Sequence, residues 1–194
     1  MMKNFIKKNL PRPLDSGAKM IYNLSVNKDK ERYKIMKKMT FTNNLQFEYD
    51  GTRKGAKYTL NGGKNWMNHG EYSECLAKSV LGYEPEKDAN TAFNMGHDIP
   101  EIGASVKSHN CGLTDMKLAD NKADFIERFF EMSDPQTTYI WVYDYADMVD
   151  IWFMDTEEFK AFTNQFGSWD GYAKKIRFKT CNNKINAWLE EQIA

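Results

Sequence analysis

From residue 70 onward the chain reads as helices and strands in the order α-β-β-α-β-β-α-β-α, which points to an α/β (α+β) fold. The first helix is expected over residues 70–81, where Tyr72, Cys75, Leu76, Ser79 and Val80 fall at helical spacing and Gly82 supplies a stop. Two short strands meet at Gly103, and residues 108–120 read as a polar loop. A helix over 122–132 turns Phe125, Ile126, Phe129 and Phe130 inward. Residues 137–145 and 148–154 are strands rich in Tyr, Trp, Ile and Val, joined at Ala146-Asp147, with Trp141, Tyr143 and Trp152 as sheet core rather than base-stacking platforms. A helix capped by Thr156 covers 156–166, a basic strand covers 174–179, and a closing helix over 183–192 buries Ile185, Trp188 and Leu189.

The residues with the most chemistry lie around Gly103. Asp98 opens the first short strand, and residues 104–107 form the second. Alternation puts Ser105 and Lys107 on one face and Ala104 and Val106 on the other. A carboxylate, a hydroxyl and an ammonium then converge at one edge of a hairpin. Hydrolysis of a phosphodiester needs acidic oxygens to hold Mg²⁺ and a cation near the attacking water, and this stretch offers both.

The arrangement resembles the PD-(D/E)XK nuclease superfamily, whose motif is an Asp, a turn, then Glu/Asp-X-Lys on the next strand. Asp98 matches the first Asp and Lys107 the Lys, and the wording Asp-x-x-x-x-Gly-x-x-Val-Lys is similar to the mismatch-repair nicking endonucleases. Ser105 stands where the family has its second acid. A minority of restriction enzymes in the superfamily also carry Ser-X-Lys and take the missing carboxylate from a helix. Gly70-x-x-x-Glu74, followed by Leu76 and Val80, resembles the helix before the catalytic hairpin in such nucleases, so that role passes to Glu74. The plain alternative for Glu74 is an i,i+4 pair with Lys78. Asp120 and Glu127 are further candidates for the displaced acid, and the sequence does not choose between them.

The resemblance implies a restriction-endonuclease-like core over residues 65–194, a mixed central β-sheet flanked by helices, with the helix at 122–132 inserted. It implies Mg²⁺ or Mn²⁺ held by Asp98, Glu74 and the carbonyl of Val106, with Lys107 positioning the attacking water and Ser105 beside it. Double-stranded DNA is the implied substrate, and cutting both strands favours a homodimer.

Charge supports a phosphate-binding partner. Residues 1–60 hold 14 Lys/Arg and 5 Asp/Glu, a balance of +9, whereas residues 61–194 hold 13 and 22, a balance of −9. Residues 1–64 are therefore read as a basic extension. Within it a Lys-rich helix over 26–39 offers Lys30, Arg32, Lys34, Lys37 and Lys38 to DNA, and Ser108 and His109 follow the hairpin as further contacts. Strands at 45–49 and 56–60 flank a turn that begins Asp50-Gly51.

No apolar run approaches the roughly 18 residues of a membrane helix. The N-terminus lacks an apolar signal core, and three cysteines of unpaired spacing (Cys75, Cys111 and Cys181) fit free thiols, so a cytoplasmic protein is expected. Cys111 with His97 and His109 makes no visible zinc quartet. The competing reading, which Ser105 favours, is a non-catalytic nuclease fold acting as a DNA- or protein-binding inhibitor.

Overall fold

The computed structural model describes residues 36–42, 47–50, 57–60, 69–83, 97–114, 119–145 and 147–194. The longest apolar strands build its centre. β6 (Thr138–Tyr145) and β7 (Met148–Met154) pair antiparallel, with Trp141 opposite Trp152. Two further strands complete the main sheet: β1 (Lys37–Thr42) lies antiparallel to β7, and β4 (Ala104–Ser108) lies parallel to β6. The strand order is β1-β7-β6-β4, so the sheet is mixed and β4 forms one edge. A parallel neighbour requires a long crossover, and the chain from β4 to β6 makes one that includes α2 (Lys122–Met132).

Alternation along these strands separates two cores. On one face Val106, Ile140, Val142, Val149 and Ile151 meet Tyr72, Leu76 and Ala77 of α1 (His69–Val80). On the other, Tyr139, Trp141, Trp152 and Met154 meet an aromatic layer of Phe125 and Phe130 from α2, Phe159 and Phe162 from α3 (Thr156–Phe166), and Ile185 and Leu189 from α4 (Asn182–Ile193). Tyr139 stacks on Phe159 at 4.2 Å between ring centroids. Trp141 and Trp152 are fully buried, as expected of sheet core, and Tyr143 is half-buried. The molecule is thus an α+β protein with helices on both faces of a mixed sheet.

The helix ends follow local chemistry. Gly82 adopts φ 84°, and Tyr83 N–H reaches Lys78 O at 2.8 Å while Gly82 N–H reaches Ser79 O, the paired closure that a left-handed residue allows at a helix C-terminus. α3 is capped by Asp155, one residue before the expected Thr156, in a reciprocal box with Glu158. Asn121 caps α2.

Several expectations change. Residues 37–39, expected at the end of a Lys-rich helix, are strand, Met36 before them is not helical, and residues 26–35, with Lys30, Arg32 and Lys34, lie outside the described residues. Because β1 is the fourth strand of the main sheet, a boundary at residue 64 does not separate an arm from a core for this segment. Every second residue of β1 packs on the sheet, and Phe41 is buried in the α1-side core. The strands expected at 45–49 and 56–60 are β2 (Phe47–Asp50) and β3 (Lys57–Leu60), paired with each other, and the turn from Gly51 lies outside the described residues. The polar stretch after the hairpin contains β5 (Gly112–Thr114), which joins β8 (Ser168–Asp170) and β9 (Lys175–Arg177) in a small sheet ordered β5-β9-β8. β9 falls within the basic strand expected over 174–179, whereas β5 and β8, at three residues each, carry too little alternation to be read from sequence. Among the described residues no helix is long and apolar enough to cross a membrane.

The turn into β4 is a 3-10 turn (Pro100–Ile102) closed by Gly103 at φ 60°, ψ 39°. The expected first strand is reduced to one antiparallel bridge, Ile99 with Ala104. A Cβ on Gly103 would meet nothing within 4 Å, so Gly103→Ala tests backbone strain alone. We expect it to cost about 1 kcal/mol in urea unfolding, the penalty of a left-handed L-residue. An unchanged midpoint would show that the turn relaxes freely.

Candidate active site

β4 lies at the sheet edge, and among the described residues no strand pairs with its outer side. Ile99 fills the first rung there, exchanging backbone hydrogen bonds with Ala104 at 3.0 Å each. A side chain supplies the next: Val106 N–H donates to Asp98 Oδ2 at 2.6 Å. Ser105 Oγ donates to the same oxygen at 3.2 Å. Lys107 Nζ donates to Ser105 Oγ and to Val106 O, both at 2.8 Å, and stands 3.5 Å from Asp98 Oδ2. The alternation is as expected: Ala104, Val106 and Ser108 are buried, and Ser105 and Lys107 face outward beside the edge. Asp98 and Lys107 therefore meet, although Asp98 precedes a single bridge rather than opening a strand.

α1 brings the second acid. Glu74 is half-buried, and its carboxyl is pushed up to about 7, first by burial and then by Asp98 and Glu71, against the opposing pull of Lys107 and Lys78. Asp98 and Lys107 thus both act on Glu74, and Lys78 does so less, so the i,i+4 pairing is the lesser part of its surroundings. Asp120 and Glu127 are not in this group. Asp120 is exposed on the approach to α2, and Glu127 is held by Lys160 at 2.7 Å on the far layer. Choosing among the three candidate acids required the packing of α1 on β4.

The residues expected to touch DNA divide. Lys38 bonds Asp150 at 3.0 Å and Glu190, and sits 5.2 Å over the Trp152 ring, so its charge is compensated within the fold. Lys37 is half-buried on β1. Ser108 points to the opposite face from Lys107, is 2% exposed, and lies 2.8 Å from Ser73 Oγ and 3.1 Å from Cys111 Sγ. It is tied into the interior rather than offered to a phosphate. His109 is half-buried, and its Nδ1 has no hydrogen-bond partner among the described residues.

The sequence reading did not single out the polar group behind β4. His69 Nδ1 lies 3.4 Å from Ser108 Oγ, and Tyr72 donates its hydroxyl to Asp144 at 2.6 Å. Burial and the neighbouring His109 lower the His69 imidazole, against the pull of Asp144. The signal was a hydroxyl at Ser108, in phase with Ala104 and Val106 on the core face: a polar residue there needs a partner.

No protein-family model matches the chain, and neither does any curated protein or solved structure. The site must be judged on its own chemistry.

That chemistry suits a hard divalent cation. Among the described residues no three His, Cys, Asp or Glu side chains gather. The Asp98 carboxylate, the Val106 carbonyl and the Ser105 hydroxyl share Lys107, Glu74 of α1 feels the charges of Asp98 and Lys107, and Mg²⁺ is commonly held by one or two carboxylates with water and substrate phosphate completing its shell. The Glu74 carboxyl is raised first by burial and then by the charge of Asp98, and a bound cation would oppose both.

Proposed function

We propose that this protein is a metal-dependent DNA endonuclease built on a restriction-endonuclease-like core. The observation that supports it is the meeting of Asp98 and Lys107 beside the Val106 carbonyl at the edge of β4, with Glu74 of α1 within reach of both charges. Asp98, Glu74 and Val106 O would hold Mg²⁺ or Mn²⁺. When bound, the ion would supply positive charge to the scissile phosphate. Lys107, anchored by Ser105 and Val106 O, orients the attacking water and offsets charge as it develops. Ser105 is neutral and lends no charge to the cation. It acts as a link between Asp98 and Lys107, and it holds the ammonium in place. Double-stranded DNA is the proposed substrate, and a homodimer would present two such sites to the two strands.

One observation favours the second reading, a non-catalytic fold that binds DNA or protein as an inhibitor. Lys107 Nζ already bonds Val106 O and Ser105 Oγ and approaches Asp98, so an internal cation stands among the oxygens a metal would use. The same contacts satisfy the edge of β4, which natural sheets protect against pairing with other chains. Incubation with supercoiled plasmid and Mg²⁺ or Mn²⁺, with and without chelator, separates the two. We expect relaxed or linear DNA that disappears with chelator. Intact plasmid at every metal concentration would leave the binding reading in its place.

A further inference from the structure

The charge map of the described fold contains one exception. Across residues 61–194 acids outnumber bases, yet residues 168–184 carry Lys174, Lys175, Arg177, Lys179 and Lys184 against Asp170 alone. The remaining residues of 61–194 hold 8 Lys/Arg and 21 Asp/Glu, so this segment is a basic island on an acidic body. It comprises the β8–β9 hairpin and the start of α4.

Structure gives that island a shape. Trp169 anchors the hairpin by packing on Phe125 at 5.5 Å between ring centroids, and Arg177 is pinned to Asp170 at 3.0 Å. Lys174 takes a left-handed backbone, φ 50°, and donates to Ala119 O at 3.1 Å. These contacts fix the turn, and at its tip Tyr172 is fully exposed, 101%. The other two large apolar side chains that stand out, Met132 and Tyr145, are 50% and 37% exposed. Lys179 and Lys184 are exposed and make no ion pair among the described residues. The exposed aromatic ring stands on the hairpin, and the exposed charges follow it in sequence, Lys179 after β9 and Lys184 in the first turn of α4.

That hairpin is also joined to the candidate site. Phe178 N–H donates to Cys111 O at 3.0 Å, and Asn110 N–H donates to Phe178 O at 2.9 Å. The end of β9 is thus stitched to the turn that directly follows Lys107 and Ser108.

We propose that the segment from the β8–β9 hairpin to the start of α4 is a DNA-backbone contact: Lys175, Lys179 and Lys184 meet phosphates, and Tyr172 packs against the sugar face of the same strand. An acidic body repels DNA, so a protein that brings a phosphodiester to Asp98 and Glu74 needs a local basic guide near them. The inference rests on the nuclease reading for the identity of the polyanion, and its residues are separate from the cleavage site.

The test is binding of the full chain to a fluorescein-labelled DNA duplex in chelating buffer, followed by anisotropy across a salt series. The triple variant Lys175→Gln, Lys179→Gln, Lys184→Gln is expected to bind about tenfold more weakly and to lose about 2 to 3 from the log–log salt slope, since each phosphate contact contributes about 0.9. Tyr172→Ala is expected to weaken binding about fivefold at every salt concentration with the slope unchanged, because the lost contact is apolar. All four positions lie at the surface or its margin, and circular dichroism checks that the variants fold. Wild type that binds with the triple variant matching it in affinity and slope overturns the hairpin inference and leaves the nuclease reading standing. Wild type that binds no duplex at the lowest salt overturns both.

Discussion

Lys107→Ala is expected to lower metal-dependent cleavage by on the order of 10³-fold, the scale seen when a single charge-stabilising donor is removed from a hydrolytic site. The ammonium is the cation of the group, and its neighbours cannot replace it: Ser105 is a neutral hydroxyl and Val106 N–H is committed to Asp98. The fold should survive. Asp98 keeps its bonds from Val106 N–H and Ser105, and Val106 O at the sheet edge can bond water, so the cost to stability is about 1 kcal/mol. Asp98→Asn should behave likewise, since an amide oxygen still accepts from Val106 while the charge is gone. Single-turnover cleavage with thermal unfolding of the same samples reads both quantities. A Lys107→Ala protein that cuts at the wild-type rate removes Lys107 from the chemistry.

Glu74→Gln should make the metal-free protein more stable at pH 8, and should do so only above acidic pH. The Glu74 carboxyl lies at about 7 in the fold against 4.5 for the free group, so the native state holds this proton more tightly than the unfolded chain. The stability it contributes is fully present below about pH 4.5 and is lost as pH rises through 7. At pH 8 the charged carboxylate is therefore a burden of about 3 kcal/mol that Gln removes. For a chain of this length that is a gain of roughly 9 °C in Tm at pH 8 and little difference at pH 4.5. Metal binding runs the other way. Mn²⁺ must displace the Glu74 proton, so wild-type affinity should rise steeply toward pH 7 and level off beyond it, while the Gln variant should lose most of that affinity and its pH dependence. Calorimetry with Mn²⁺ and thermal unfolding at both pH values measure the pair of effects. Parallel stability profiles for the two proteins between pH 4.5 and 8 would show that Glu74 is not held against its charge.

The two predictions use the same feature in opposite senses. Burial holds the Glu74 carboxyl high, Asp98 adds to it, and Lys107 offsets only part of the effect. A second cation could offset more of it, and the same shortfall makes the site costly when empty of one. An interior kept apolar would be cheaper, so the arrangement is the kind of local strain that marks working sites. Asp150 provides the contrast. It is 1% exposed, yet it accepts from Thr40 at 2.6 Å and pairs with Lys38, a closed network that holds β1 on β7 and leaves nothing for a ligand.

What the sequence determined by itself is the set of features that depend on neighbours within one or two turns of chain. The apolar spacing of α1 to α4, the long strands β6 and β7, the left-handed stop at Gly82 and the turn at Gly103 follow from side-chain period and backbone sterics, and they appear where expected. The shared face of Ser105 and Lys107 is also local, because alternate residues of any strand point the same way. Tertiary structure decided the rest. A Lys-rich segment became edge strand β1 because β7 offered it a ladder and Asp150 a charge partner, neither of which lies within 100 residues of it. Glu74 rather than Asp120 or Glu127 joined Asp98 because α1 packs on β4, and that placement depends on Leu76 and Ala77 finding Val106 and Ile140. Asp98 lost its strand and gained the Val106 N–H, since an unpaired edge must be satisfied by whatever oxygen the turn delivers. Local pattern sets which side chains can share a face, whereas long-range pairing sets which faces meet, and a site made from a turn, a strand and a helix exists only once they do.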